Sequence, residues 1–340
     1  MFQLIKKTVL WLVLLGVTAA VALGLGATWW LHSPLPVRNT TPAGYVDVEI
    51  PPGTSARGVS TALVSAGVDT PALWLLLWFR ASGQAGQIKA GSYELPNGLT
   101  PRMLLDKLVR GEQAVRRFTL VEGWNYWQLL AALKQAEHLR FDLPENPDPA
   151  ALMRALGRPE SHPEGRFFPD TYLYPKNSSA SQLLLQAANA MDQKLAEAWA
   201  ARHPDVPLRS PEEALILASI VEKETGLPQD RGQVAGVFTN RLRIGMRLQT
   251  DPTVIYGQGP RFEGRLRRRH LDTDNPYNTY TRAGLPPTPI AMPGWASLLA
   301  AVQPQDTPAM YFVSRGDGSS HFSATLAEHN AAVRRYILSR

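Results

Sequence analysis

The 340-residue sequence predicts an α+β chain in three parts. Three observations predict it. An uninterrupted apolar run stands at the N-terminus. A short strand–helix–helix–strand pattern follows it. A longer stretch of mixed helix and strand signals is then organised around one helix that is apolar on nearly every face and ends in two glutamates. The length alone suggests about two domains of roughly 150 residues each. The composition is 44% hydrophobic and 19% charged, which supports a packed core rather than a disordered chain.

The apolar run, residues 8–31, contains no charged side chain. At about 1.5 Å per residue it spans a hydrocarbon core of about 30 Å. Lys6 and Lys7 precede it, and no Lys or Arg follows until Arg38. This asymmetry predicts a transmembrane helix with residues 1–7 as a cytoplasmic tail and the remainder exported. Trp29 and Trp30 fall where an interfacial aromatic belt belongs. A cleaved signal peptide is the competing reading, but its apolar core is shorter, at about 7–15 residues.

Residues 32–44 are rich in Pro, Thr and Ser and read as a linker. Tyr45 to Ile50 alternates apolar and polar, the period of a strand. Pro51, Pro52 and Gly53 make a turn. Helices are expected over 60–66 and 71–81, and a strand at Tyr93-Glu94-Leu95. Thr100 as cap and Pro101 at the first position open another helix, which ends near Gly111. Residues 45–112 therefore form a small α+β module that resembles a LysM-like glycan-binding unit; a structural spacer reads the same way.

From residue 113 a second, larger mixed α/β domain is expected, running to residue 340. It opens with a strand at Phe118 to Val121 and a turn at Glu122-Gly123. A helix over 127–136, an aromatic loop from Phe167 to Tyr172 and a long helix over 180–201 follow. The helix that carries the chemistry begins at Ser210 as cap, with Pro211 at its first position and Glu213 completing a capping box. Gly226 and Pro228 are expected to stop it. Ala214 to Val221 is apolar on nearly every face, so the helix is expected to be buried on most sides. Glu224 shares a face with Leu217, Ile220 and Val221, whereas Glu222 points to nearly the opposite side. Apolar neighbours and the negative helix end both push the pKa of Glu224 up. A carboxyl that holds its proton near neutral pH suits a glycosidic leaving group. A solvated helix end paired with Lys223 or an arginine is the alternative that the helix alone leaves open.

Downstream stand several long runs. They are Val234 to Leu242, Gly245 to Gly257, Asn275-Pro276-Tyr277-Asn278-Thr279-Tyr280, Gly284-Leu285-Pro286-Pro287 and Ile290-Ala291-Met292-Pro293-Gly294. Met310 to Val313 reads as a strand, and His321-Phe322 and Glu328-His329-Asn330 close the chain. Together with the Phe168-Pro169-Asp170-Thr171-Tyr172 loop and the Glu-Lys-Glu helix end, these runs resemble the endolytic murein transglycosylase (MltG/YceG-like) family over nearly the whole chain. One departure is Thr288, where the family usually carries Gly.

The resemblance implies that Glu224 is the single catalytic acid and base. It implies cleavage of the bond between N-acetylmuramic acid and N-acetylglucosamine of nascent glycan strands, leaving 1,6-anhydro ends. It also implies an inner-membrane location with the enzymatic domain outside the cytoplasm, and association with peptidoglycan synthases or the division or elongation machinery. Candidates for holding the sugar are Gln249, Asp251, Asn278 and Tyr280, with Asn240 and Arg241 behind them and Tyr277 and Tyr256 available to stack on a pyranose. Glu222 reads as a supporting carboxylate. A hydrolytic muramidase using Asp251, and a non-catalytic glycan-binding scaffold, are the rival functions.

The chain has no cysteine, which excludes disulfides, thiolate metal sites and Cys nucleophiles. The formal charge of +6 fits an anionic partner of several kinds. Arg261, Arg265, Arg267, Arg268 and Arg269 form a basic cluster before His270, but no nucleic-acid recognition motif accompanies it. His270, His321 and His329 lack metal-ligand spacing, and the latter two read as core or cleft residues. No P-loop, GxGxxG or GxSxG motif is present, so neither metal nor cofactor is expected.

Overall fold

The computed structural model describes residues 2–38, 40–42, 44–145, 147–159, 161–262 and 264–339. The first helix, α1, runs from Phe2 to His32, longer at both ends than the apolar run itself. Its segment Lys6–His32 is, among the described residues, the one helix long and apolar enough to cross a membrane. Its side chains are exposed along nearly all of that length, as an unpartnered span requires.

The chain divides into two compact units, residues 1–116 with 175–177, and residues 117–174 with 178–340. In the first unit, strand β1 (Tyr45–Ile50) pairs antiparallel with β2 (Gly91–Pro96) in a register from Tyr45 opposite Pro96 to Ile50 opposite Gly91. The period-two pattern puts Val46, Val48 and Ile50 inward with Tyr93 and Leu95. Between the strands lie α2 (Ala56–Ala66) and α3 (Ala72–Ala81), and α4 (Pro101–Arg110) follows. The start of α2 lies earlier than expected because Ser55 caps it, accepting from the Gly58 amide. Thr100 caps α4 by accepting from Met103, and Gly111 ends that helix in the left-handed conformation at φ +71°. Leu63, Leu75, Phe79, Leu104, Leu105 and Leu108 fill the space between helices and sheet.

The residues expected as a linker are partly built into this unit. Leu35 is buried, its amide donates to the Leu99 carbonyl at 2.8 Å, and Val37 bridges to Val68. A stretch rich in Pro and Thr had no apolar periodicity to reveal this, since two alternate apolar residues are too short a signal.

In the second unit helices dominate, and the strands form only two-stranded sheets among the described residues. Strand β3 (Val115–Thr119) joins β4 (Thr171–Pro175), and β4 replaces the end of the expected aromatic loop. Helices α5 (Tyr126–Gln135), α6 (Pro149–Ala155) and the first half of α7 (Ala180–Ala200) surround one core. A second core surrounds α8 (Pro211–Glu224), which packs against α7, α9 (Arg231–Arg243) and α12 (Trp295–Val302). Short helices α10 (Asp251–Gly257) and α11 (Arg268–Asp272) lie between α9 and α12. The hairpin of β5 (Tyr311–Ser314) and β6 (Ser320–Ser323), then α13 (Leu326–Val333), complete the unit.

Candidate active site

Every residue of α8 from Ala214 to Val221 is buried. The Ser210 hydroxyl accepts from the Glu213 amide at 3.3 Å, while the Glu213 carboxylate reaches back to the Arg209 amide at 2.7 Å. The end differs from expectation. Thr225, not Gly226, turns the chain extended, and its hydroxyl donates to the Val221 carbonyl at 2.7 Å. Gly226 serves packing instead: a Cβ there would lie 2.7 Å from the Gly318 carbonyl oxygen.

This C-terminus delivers Glu224 into a cluster of threonines. Its Oε1 accepts a hydrogen bond from the Thr250 hydroxyl. Thr250 is itself fixed from three sides. Its amide donates to Thr279 Oγ1 at 3.0 Å, its carbonyl accepts from Thr253 Oγ1 at 2.8 Å, and the Thr253 and Thr279 hydroxyls meet at 2.9 Å. All three threonines are buried. Burial raises the pKa of Glu224 above the usual carboxylate value. The Thr250 hydrogen bond opposes that, the like charge of Asp251 adds to it, and Arg241 opposes it weakly. Glu224 takes part in no salt bridge among the described residues. The alternative of a helix end neutralised by an ion pair therefore loses its premise.

Asp251 and Tyr280 stand beside this carboxyl. The Tyr280 hydroxyl donates to Asp251 Oδ1 at 2.6 Å, and burial first, then Asp251 and Glu224, push the Tyr280 pKa up. Gln249 precedes Thr250 with an exposed side chain and a left-handed backbone, φ +49°, its amide held by the Thr279 carbonyl at 3.1 Å. Arg241 lies buried beneath. Its Nε donates to Met310 O at 2.7 Å, one terminal nitrogen donates to Leu248 O at 2.6 Å, and its guanidinium covers the Tyr311 ring at 5.3 Å. Burial pulls its pKa down, while Tyr311, Tyr280 and Glu224 pull it up.

Four other candidates are occupied elsewhere. Asn278 is fully buried; its amide nitrogen donates to the carbonyls of His270, Leu271 and Thr273, and its oxygen accepts from the Tyr280 amide. It braces the loop that carries Thr279 and Tyr280 and offers no free edge to a sugar. Asn240 donates to the Thr307 and Ala309 carbonyls at 2.8 and 3.1 Å. The Tyr277 hydroxyl meets Thr288 Oγ1 at 2.8 Å, a contact a glycine at that position cannot make, and its ring meets Tyr256 edge-on at 4.9 Å. Glu222 accepts from the Gly294 amide at 3.0 Å, at the start of α12. This hydrogen bond joins the end of α8 to the start of α12. His321 and His329 are half-buried, the latter stacked on Tyr311 at 5.2 Å.

Two features escaped sequence reasoning. Thr250 sat between two flagged residues, Gln249 and Asp251, and a threonine before a helix reads as an ordinary cap. Glu164 is fully buried; its Oε2 accepts from the Tyr126 amide at 3.2 Å, and the Tyr256 hydroxyl lies near it. Burial pushes its pKa up to about 8. Pro163-Glu164-Gly165 reads as a surface turn, and nothing in the residue pattern signals otherwise.

A cavity of about 290 Å³ lies in the same loops, lined among others by Asn278, Thr279, Arg282 and Leu285. Glu224 does not line it; Thr279 connects the cavity wall to Thr250. Among the described residues no group of three His, Asp or Glu side chains is placed to hold a metal ion.

The family model described as YceG-like matches residues 48–335. The chain belongs to the YceG-like family. An endolytic murein transglycosylase of Bacillus subtilis (strain 168) is 30% identical over 311 residues, covering 87% of this chain and 86% of the relative. One of Streptococcus pneumoniae serotype 2 is 26% identical; the match covers 93% of this chain but 62% of that longer protein. The crystal structure of a YceG-like protein from Listeria monocytogenes superposes with a TM-score of 0.52 at 29% identity, covering 85% of this chain and 99% of the other. This YceG-like chain thus shares its fold, as well as its sequence pattern, with a solved relative.

Proposed function

We propose that this chain is a peptidoglycan lytic transglycosylase in which Glu224 alone serves as acid and base. The carrying observation is a half-buried carboxyl at the end of a buried helix, raised in pKa, without a salt bridge among the described residues and accepting a hydrogen bond from Thr250. The relatives named endolytic murein transglycosylases support the substrate class. The protonated Glu224 donates its proton to the glycosidic oxygen as the bond to the muramic anomeric carbon breaks. The resulting carboxylate then takes the proton of the muramic C6 hydroxyl while that oxygen attacks the same carbon, which closes a 1,6-anhydro ring and regenerates the acid. The nucleophile belongs to the substrate, so intramolecular geometry supplies much of the rate. A carboxylate near the oxocarbenium-like centre stabilises the positive charge.

Asp251, Tyr280 and the exposed Gln249 are the groups proposed to contact the sugar. Arg241, Asn240, Asn278, Tyr277 and Glu222 hold the walls. In this reading residues 45–112 are a LysM-like module, residues 113–340 the catalytic domain, and α1 a single membrane span with its N-terminus in the cytoplasm. The catalytic domain then works on nascent strands outside the membrane, beside the wall-synthesis machinery.

The test is digestion of peptidoglycan by the detergent-solubilised chain, with products read by mass spectrometry. Wild type is expected to leave anhydro ends. Glu224→Gln is expected to lose about 10²–10⁴-fold in rate, while Glu222→Gln keeps measurable activity. Reducing ends would instead indicate hydrolysis, with Asp251 activating water. Equal rates for wild type and Glu224→Gln would refute the proposal.

A further inference from the structure

Helix α3 buries Leu75, Leu76 and Phe79 in the core of the first unit. Its opposite side is also apolar. Leu73, Trp74 and Leu77 are 60%, 51% and 55% exposed, and Arg80 continues the same stripe one turn on. Met103, on the first turn of α4, is 52% exposed beside the exposed Arg102. The Trp78 indole ties α3 to α4 by donating to the Pro101 carbonyl at 3.2 Å. Helices that face water on one side carry polar residues there, so an exposed Leu-Trp-Leu stripe calls for an occupant.

The neighbour of this stripe indicates the occupant. The Trp74 ring meets Trp30 edge-on at 5.8 Å, and Trp30 belongs to the last turns of α1. Helix α4 packs against α1 as well. Nor is the junction loose. Trp30 packs on the first unit's core, and Leu35, three residues past the end of α1, is buried in it and bonded to Leu99. A tryptophan at the end of a span sits at the headgroup level. A stripe in direct contact with that tryptophan stands at the same depth.

We propose that the α3 stripe Leu73-Trp74-Leu77, with Met103, is a lipid-facing surface that lies in the headgroup and upper acyl region of the bilayer spanned by α1. Arg80 and Arg102 flank it where anionic headgroups would meet them. The first unit is then held flush against the membrane rather than swinging on a tether. The inference rests on α1 spanning the membrane. It goes beyond that reading, because a span on a flexible leash would leave α3 in water.

The absence of cysteine makes the test clean. A single environment-sensitive fluorophore is placed in the full chain at Leu77→Cys. Comparison labels go at Thr61→Cys, on the exposed polar side of α2 with Arg57 and Ser65, and at Leu12→Cys, mid-span in α1. Each protein is reconstituted in phosphatidylethanolamine–phosphatidylglycerol vesicles and quenched by aqueous iodide or by lipids spin-labelled at shallow or deep positions. The expected result is a Leu77 label quenched several-fold more by shallow spin-labelled lipid than the Thr61 label, and protected from iodide. A Leu77 label as open to iodide as Thr61, with the Leu12 label deep, would overturn the inference and leave the anchor standing. A Leu77 label shielded from iodide and lipid alike would assign the stripe to a protein partner and overturn it too. An aqueous Leu12 label would remove the anchor and the inference together.

Discussion

At Glu224 two influences compete: enclosure favours the neutral acid, and the Thr250 hydroxyl favours the anion. Their balance sets the pH at which the acid runs out of protons. Thr250→Val removes the hydroxyl while keeping the side-chain volume, so the carboxylate loses the Thr250 hydrogen bond and the pKa of Glu224 rises further. In the proposed mechanism Glu224 is the acid and must be protonated in the free enzyme, so kcat/KM declines as pH climbs through that pKa. The expected outcome is an alkaline limb displaced to higher pH in Thr250→Val, measured as the pH profile of glycan cleavage. An unchanged limb would mean that the limb reports another group. That Glu224 ends a helix buried from Ala214 to Val221 was legible from the apolar run and its caps; the polar groups that meet it were not. Thr250 was not, because its hydroxyl reaches Glu224 from a loop 26 residues away in sequence, and no local pattern encodes such a meeting.

Elements whose boundaries are written in local chemistry were legible; those fixed by tertiary contact were not. Ser210 and Pro211 announced the start of α8, and Thr100 and Pro101 that of α4. The end of α8 was misread because Gly226 is required by the Gly318 backbone, not by a left-handed turn. The same logic applies inside α9. A Cβ at Gly236 would lie 2.5 Å from the Gln305 carbonyl oxygen and 2.7 Å from Thr307 Cγ2. Since one obstacle is backbone, Gly236→Ala is expected to destabilise the second unit by about 1–3 kcal/mol, read by denaturant unfolding.

Glu164 ties a loop to the start of α5, and its pKa, raised from 4.5 to about 8, makes that tie sensitive to pH. Between those two values the folded state keeps a proton that the unfolded state has released. The contribution is therefore complete below about pH 4.5 and declines as pH rises towards 8. Wild type is expected to lose stability, on the order of a few kcal/mol, between pH 5 and pH 8. Glu164→Gln, which carries no proton to lose, is expected to show a flatter profile by the same unfolding measurement.

At the scale of the whole molecule, the α+β character and the apolar N-terminal helix were visible in patterning, because both depend on runs long enough to average over neighbours. The way the chain leaves α1 was not, since it turns on Leu35 and Val37, two side chains in a stretch that otherwise reads as linker. Leu35 is buried and Val37 bridges to Val68, so a soluble fragment beginning at Gly44 discards part of the first unit's core. One beginning at Ser33 keeps it. Removing a buried leucine-sized side chain costs about 2–5 kcal/mol where the site cannot collapse. The fragment from Gly44 is therefore expected to unfold its first unit earlier than the fragment from Ser33, with the second unit's transition unmoved, in a calorimetric scan of the two. Coincident first transitions would show that Leu35 and Val37 add nothing to that core. A Leu35→Ala change in the longer fragment separates the two contributions: it is expected to reproduce most of the loss without shortening the chain.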